Sequence, residues 1–279
     1  LQENNFLFSK RMVKPREKNQ MVKRGNAGWA GLLLVVLLYI IMAYLTRIWP
    51  FEKKEDAEVT FVKYPGFGIE IPGNYKIHGI DVSRYQHRIN WGMVAAMQSR
   101  DVKIGFAFIK ATEGTTLVDR YFERNWAKCR SVGIVRGAYH FYRANEDAAA
   151  QARAFIKQVK LLPGDLPPVL DVESLYNEDP ATMQAGVALW LQLIEQHYRV
   201  RPIIYTNASF YQNYLGPRFD GYPLWVAHYR EKNRPRVQRD WLIWQHSENG
   251  RVDGINALVD FNVFNGDSLA FKQLRIGIR

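Results

Sequence analysis

Eight short apolar runs, rich in β-branched residues, punctuate the chain at 77–83, 104–112, 135–141, 168–174, 202–206, 223–229, 241–247 and 259–265. This rhythm limits the fold more than any other feature. Each run has the length of a buried strand, and helix-like stretches separate the first five. In 119–132, Phe122, Trp126 and Cys129 fall at helical spacing, as do Ala148, Ala152, Phe155 and Val159 in 146–162. The strongest stripe lies in 181–199, where Val187, Leu191, Ile194 and Tyr198 share one face and Asp179-Pro180 supplies a cap and a first-turn proline. After the fifth run the connections are too short for full helices. Alternating strands and helices imply a parallel sheet, and eight strands imply an irregular (β/α) TIM-like barrel, with helices mainly among the first five strands.

In such a barrel the working side chains sit at the C-terminal ends of strands. The fourth run ends Asp171-Val172-Glu173. On a strand these two carboxylates share a face. Neighbouring like charges resist joint ionisation, so one carboxyl is raised and can donate a proton while its partner stabilises positive charge. That pairing suits glycoside cleavage, although a salt-bridged strand terminus has the same sequence pattern. The other runs add to it. The first ends near Asp81, the third holds Tyr139, His140 and Phe141, the fifth Tyr205 and Thr206, the sixth Trp225 and Tyr229, the seventh Trp244 and Gln245, and the eighth begins near Asp260. Sugars offer apolar C–H faces and many hydroxyls, so a groove of carboxylates and aromatics fits them. His140 faces either this groove or the helices. Lys110 is either a site residue or the ion-pair partner of Glu113. Gly114 and Gly137 read as backbone turns.

Ahead of the barrel lies a 22-residue stretch without charge, from Gly25 to Thr46. As a helix it spans about 33 Å, close to the hydrocarbon thickness of a bilayer, and Trp29, Tyr44 and Trp49 fall where an aromatic belt belongs. Of the net charge of +11, residues 1–24 carry +5. The positive-inside rule therefore places them in the cytoplasm. The expected organisation is a basic cytoplasmic tail (1–24), a transmembrane helix (25–48), a linker (49–75) and a catalytic barrel (76–279) outside the inner membrane, in the periplasm. Within the linker, Phe67, Ile69 and Ile71 alternate as a short strand would. A cleaved signal peptide is the competing reading, and a translation start at Met21 instead of Met12 would favour it. The single cysteine, Cys129, excludes an internal disulfide and fits a helix's packed face. The mildly basic barrel suits an anionic polymer, and nothing marks nucleic acid as the partner. The six histidines show no metal-ligand spacing, and there is no phosphate-cradling glycine loop, so no metal or cofactor is expected.

Several motifs carry a family resemblance. Gly79-Ile80-Asp81-Val82-Ser83-Arg84-Tyr85-Gln86 followed by Ile89-Asn90-Trp91 resembles the opening strand of glycoside hydrolase family 25, the Chalaropsis-type lysozymes. Phe108-Ile109-Lys110-Ala111-Thr112-Glu113-Gly114, Gly137-Ala138-Tyr139-His140-Phe141 and Leu170-Asp171-Val172-Glu173 resemble its next three strands. Trp225-Val226-Ala227-His228-Tyr229, Trp244-Gln245 and Val259-Asp260-Phe261-Asn262 resemble the later ones. The family's usual Asp before the first-strand tryptophan is Asn90 here, at a position that reads as a helix cap.

The resemblance implies a bacterial peptidoglycan hydrolase that cleaves the β-1,4 bond between N-acetylmuramic acid and N-acetylglucosamine. It implies Glu173 as general acid, Asp171 as its assisting carboxylate, and Asp81 and Asp260 as the remaining site acids. Tyr139, Phe141, Tyr205, Trp225, Tyr229, Trp244 and Gln245 would contact the sugars. The membrane segment lies outside the family pattern. Asp171 can orient the substrate's acetamido group, which retains configuration, or Asp81 or Asp260 can activate water, which inverts it. Two other functions compete. A non-catalytic, membrane-tethered wall-binding module would keep the aromatics and lose the acids. A chitinase-like glycosidase would carry an Asp where Val169 stands.

Overall fold

The computed structural model describes residues 59–278. The tail and the apolar span expected at 1–24 and 25–48 lie outside them, as does the first part of the linker. Among the described residues no helix is long and apolar enough to cross a membrane.

The remainder of the linker is not an extended tether. β1 (Phe61–Tyr64) and β2 (Ile69–Pro72) form an antiparallel hairpin. The alternation of Phe67, Ile69 and Ile71 is the reason: all three are buried in the main core, Phe67 and Ile71 completely. Removing each of these side chains from water is worth about 1.5–3 kcal/mol. The folded unit thus includes the hairpin.

All eight apolar runs are strands: β3 (His78–Val82), β4 (Val102–Glu113), β5 (Val135–Phe141), β6 (Val169–Asp171), β7 (Ile203–Asn207), β8 (Leu224–Ala227), β9 (Ile243–Gly250) and β10 (Val259–Phe264). Each pairs with the next, and β10 pairs back with β3, closing the barrel. From β3 to β9 the pairings are parallel. β10 departs from the expected parallel sheet and runs antiparallel to both β9 and β3. Only eight residues separate β9 from β10, whereas a parallel crossover needs about a dozen or more. The reversal carries the start of β10 to the rim where the other strands end.

Helices cover the regular part: α1 (Trp91–Ala96), α2 (Phe122–Ser131), α3 (Ala148–Gln158) and α4 (Pro180–Tyr198). Asn90 caps α1 by accepting from the Met93 N–H. Asp179 caps α4 by accepting from the N–H groups of Ala181 and Thr182. The α4 stripe Met183, Val187, Trp190, Leu191 and Ile194 is fully buried against the outer barrel wall. Cys129 is buried on α2, and burial raises its thiol far above the ordinary range. His140 also faces outward: it stacks on Trp190 at 5.6 Å and meets Thr112 Oγ1 at 2.7 Å and Gln151 Oε1 at 3.0 Å.

The barrel interior is a second apolar cluster containing Phe106, Phe108, Val169, Ile203, Trp225, Ile243 and Phe264. Gly137 is no turn. It lies inside β5, where a Cβ would collide with the Phe108 ring, and Gly79 makes the same room for Phe106 on β3. Two large rings fill the barrel because two glycines face them.

Candidate active site

The interior cluster ends below the rim in a pocket whose walls include Asp81, Lys110, Tyr139, Phe141, Asp171, Glu173, Tyr205, Trp225 and Asp260. Strand register assembles it. Asp81 on β3 lies opposite Asp260 on β10, and Phe141, Asp171 and Tyr205 lie side by side across β5, β6 and β7. Val172 turns outward and is fully buried, which leaves Asp171 and Glu173 on the pocket side.

The four acids form two pairs. In the first, Asp81 and Asp260 share a hydrogen bond. Asp81 Oδ2 also accepts from Gln245 Nε2 and Asn262 Nδ2, each at 2.8 Å. These amides have fixed orientations. Trp225 Nε1 can only donate, and it donates to Asn262 Oδ1 at 2.8 Å, which turns the Asn262 amino group toward Asp81. Gln245 Oε1 accepts from the hydroxyls of Tyr205 and Tyr229. Burial raises the Asp81 carboxyl to about 6 against these stabilising bonds. Burial and the charge of Asp81 raise Asp260 to about 9.

In the second pair Asp171 is buried and Glu173 is half-buried. They share a hydrogen bond, but Asp171 Oδ1 accepts none. Burial lifts Asp171 well above the carboxylate range, and the negative charge of Glu173 adds to the rise. Lys110 opposes it from the next wall. Its ammonium sits 2.7 Å from Glu113 Oε2 and 4.5 Å from the centre of the Phe141 ring. Lys110 is therefore both a pocket residue and an ion-pair partner. Burial and the surrounding carboxylates hold the phenols of Tyr139 and Tyr205 un-ionised.

The structure separates the expected sugar contacts. Tyr139, Phe141, Tyr205 and Trp225 line the pocket. Gln245 and Tyr229 stand one layer behind, in the web that holds Asp81. Trp244 is displaced from the site altogether. It is fully buried on the outer face, donates to the His228 carbonyl at 2.9 Å and packs against Phe61, Tyr75 and Trp241. The cause is strand alternation: with Gln245 turned inward, its neighbour must turn outward. Asn262, which continues the eighth run beyond Asp260, joins the site as a donor to Asp81. It lies two positions beyond Asp260 on one strand, so the same alternation points to it. Ser83, Tyr85 and Gln86 also reach the pocket wall.

The profile of glycosyl hydrolases family 25 matches residues 80–255, which span β3 to the approach to β10. The chain belongs to glycosyl hydrolase family 25. It is a glycoside hydrolase, and its two carboxyl pairs stand in the pocket of a family 25 barrel. The family 25 chain is 48% identical over 213 residues to the protein YegX of Escherichia coli strain K12, covering 76% of this chain and 78% of that one. It is 36% identical over 217 residues to Lysozyme M1 of Streptomyces globisporus, covering 71% of each. A solved family 25 glycosyl hydrolase from Bacillus anthracis superposes with a TM-score of 0.66 at 30% identity, over 71% of this chain and 93% of the other.

Proposed function

We propose that this family 25 hydrolase is a lysozyme, an N-acetylmuramidase that cleaves the β-1,4 bond between N-acetylmuramic acid and N-acetylglucosamine in peptidoglycan. The observation that carries the proposal is the joining of the Asp171–Glu173 and Asp81–Asp260 pairs in one pocket lined by Tyr139, Tyr205 and Trp225. Glu173 delivers the proton held by its pair to the glycosidic oxygen as that bond to the anomeric carbon breaks. Asp171 accepts from the N–H of the 2-acetamido group and turns the acetamido carbonyl oxygen onto the anomeric carbon. Water then attacks that carbon and returns its proton to Glu173, with overall retention. An inverting base must be ionised; burial disfavours Asp260 in that role and disfavours Asp81, at about 6, much less, so the configuration of the product decides between the two routes. Lysozyme M1 is named for its activity and aligns across the barrel, in keeping with the choice of substrate.

Mass spectrometry of peptidoglycan digested by the full chain tests the bond, with fragments ending in reducing N-acetylmuramic acid as the expected product. Proton NMR of the first-formed anomer tests the stereochemistry: β is expected, and α sinks the substrate-assisted route. A wall-binding module would release no reducing ends, and a chitinase-like enzyme would prefer chitin oligomers in a parallel digest. We further propose that residues 25–48 anchor the chain in the inner membrane with the barrel in the periplasm. The uncharged span and the basic flank before it support this topology. Protease added to spheroplasts should then digest the barrel, and protection until lysis would refute the topology.

A further inference from the structure

The pocket does not end at its acids. Tyr85, 65% exposed, forms part of its wall and also part of a second concavity, whose other walls are Arg84, His87, Val118 and Arg120. This neighbouring groove is opposite in character. No carboxylate lines it. Its apolar members face solvent, with Val118 47% exposed. Among the described residues neither Arg84 nor Arg120 is in a salt bridge; each guanidinium lies over the ring of its own neighbour, at 5.3 Å from Tyr85 and 5.0 Å from Tyr121.

The groove is built in advance. Its two walls come from the turn after β3 and the segment before α2, and the buried Asp119 joins them. Asp119 Oδ2 accepts from the Arg84 N–H at 2.6 Å, and Oδ1 accepts from the Tyr121 N–H at 2.9 Å. The Asp119 N–H donates to the Ala111 carbonyl at 2.9 Å. Asp119 is thus directed at backbone amides, the Arg84 guanidinium donates only to the Tyr85 hydroxyl, at 3.5 Å, and neither arginine has an ion-pair partner among the described residues.

The contrast of charge suggests an occupant. The ionised members of the two carboxyl pairs repel an anionic chain, so a polymer that bears carboxylates gains from cations placed just outside the pocket. Building on the peptidoglycan reading, we infer that the groove at Arg84, Tyr85, His87, Val118 and Arg120 is a distal subsite for the glycan strand, where a sugar lies on Tyr85 and the free carboxylates of the strand's peptide substituents meet Arg84 and Arg120. The groove selects carboxylate-bearing, peptide-substituted strands over neutral ones.

The test is co-sedimentation of the full chain, carrying Glu173→Gln to stop turnover, with insoluble peptidoglycan. The same material with its carboxyls converted to amides is the comparison. Each exposed ion pair is worth up to about 1 kcal/mol, so Arg84→Glu with Arg120→Glu should weaken binding to the untreated polymer about tenfold. Amidation should weaken binding by the unaltered groove about as much as Arg84→Gln with Arg120→Gln does, and should abolish the difference between the unaltered and the doubly reversed groove. The milder Arg84→Gln with Arg120→Gln should fall between. Equal binding of the reversed and unaltered grooves to untreated peptidoglycan would overturn the inference, as would loss of binding that persists undiminished on amidated material. Reducing-end release by the chain with Glu173 intact reports separately on cleavage. Release with no effect of the groove variants removes the subsite alone, and loss of binding without any release removes the cleavage reading while the subsite stands.

Discussion

The two carboxyl pairs share a pocket but are stabilised differently. Asp81 is held from outside: two amides donate to one of its oxygens, and Trp225, Tyr205 and Tyr229 fix those amides. Asp171 has no such support, since its Oδ1 accepts nothing and its near neighbour is a second acid. A carboxylate that receives hydrogen bonds is stabilised in its ionised form, whereas a buried one left without donors is held in its protonated form. In the mechanism proposed above, the difference separates a positioning pair from a proton-transferring pair, although both began as acids at strand ends.

The largest expected effect breaks the second pair. Glu173→Gln should reduce release of reducing ends about a thousandfold, within the span of general acid catalysis, with little change in melting temperature. Residual activity near that of the parent would reverse the assignment of the two pairs. Next comes the support of the first pair. Gln245→Leu removes a donor from Asp81 and the acceptor of two phenols, so stability should fall by about 1–3 kcal/mol in chemical denaturation, and kcat by about tenfold. A smaller effect has the opposite sign. Asp260→Asn should lower activity yet raise the melting temperature by several degrees at pH 7. The folded Asp260 carboxyl lies at about 9 against an ordinary 3.8, so its favourable contribution is complete below about pH 4 and is lost as pH rises through 9. The gain from the substitution should accordingly vanish at pH 4 and grow with pH; a gain independent of pH would mean that Asp260 is not strained by its charge. The smallest effect lies away from the pocket and sharpens the contrast. Burial lowers His78 to about 4 and His246 to about 3. Their contribution is complete above about pH 6.5 and is lost as pH falls toward those values. His246→Phe should flatten the decline of melting temperature between pH 6.5 and 4.

Much of this was legible in the chain. The eight apolar runs became the eight barrel strands, and strand alternation alone placed Asp171 and Glu173 together. What escaped had a physical cause. The direction of β10 depends on the length of one connection, not on the apolar pattern of the strand. Trp244 and Gln245 cannot both face the pocket, yet a strand buried on both sides carries apolar residues on each face, so composition does not reveal which is inside. Trp225, inside, and Trp244, outside, look alike in sequence. The alternation at Phe67, Ile69 and Ile71 marked one strand of the hairpin; its partner, Phe61–Tyr64, was obscured because the prolines and glycines around it read as a tether. Asn262 could be placed on the strand end but not given a role, because an amide beside an acid carries no chemical signature until its partner is known.

The reversed last strand has a consequence for the birth of the enzyme. Asp81 finds its amide partners 164 and 181 residues further along the chain, and Asp260 reaches the rim only when β10 enters between β9 and β3. Closing the wall and completing the acid constellation are therefore one event, which follows the emergence of β10 and depends on contacts of long sequence separation, which form slowly. A nascent or truncated chain would carry Asp171 and Glu173 but no finished pocket. Order of synthesis thus acts as a safeguard: the pocket comes into being only when β10 closes the wall.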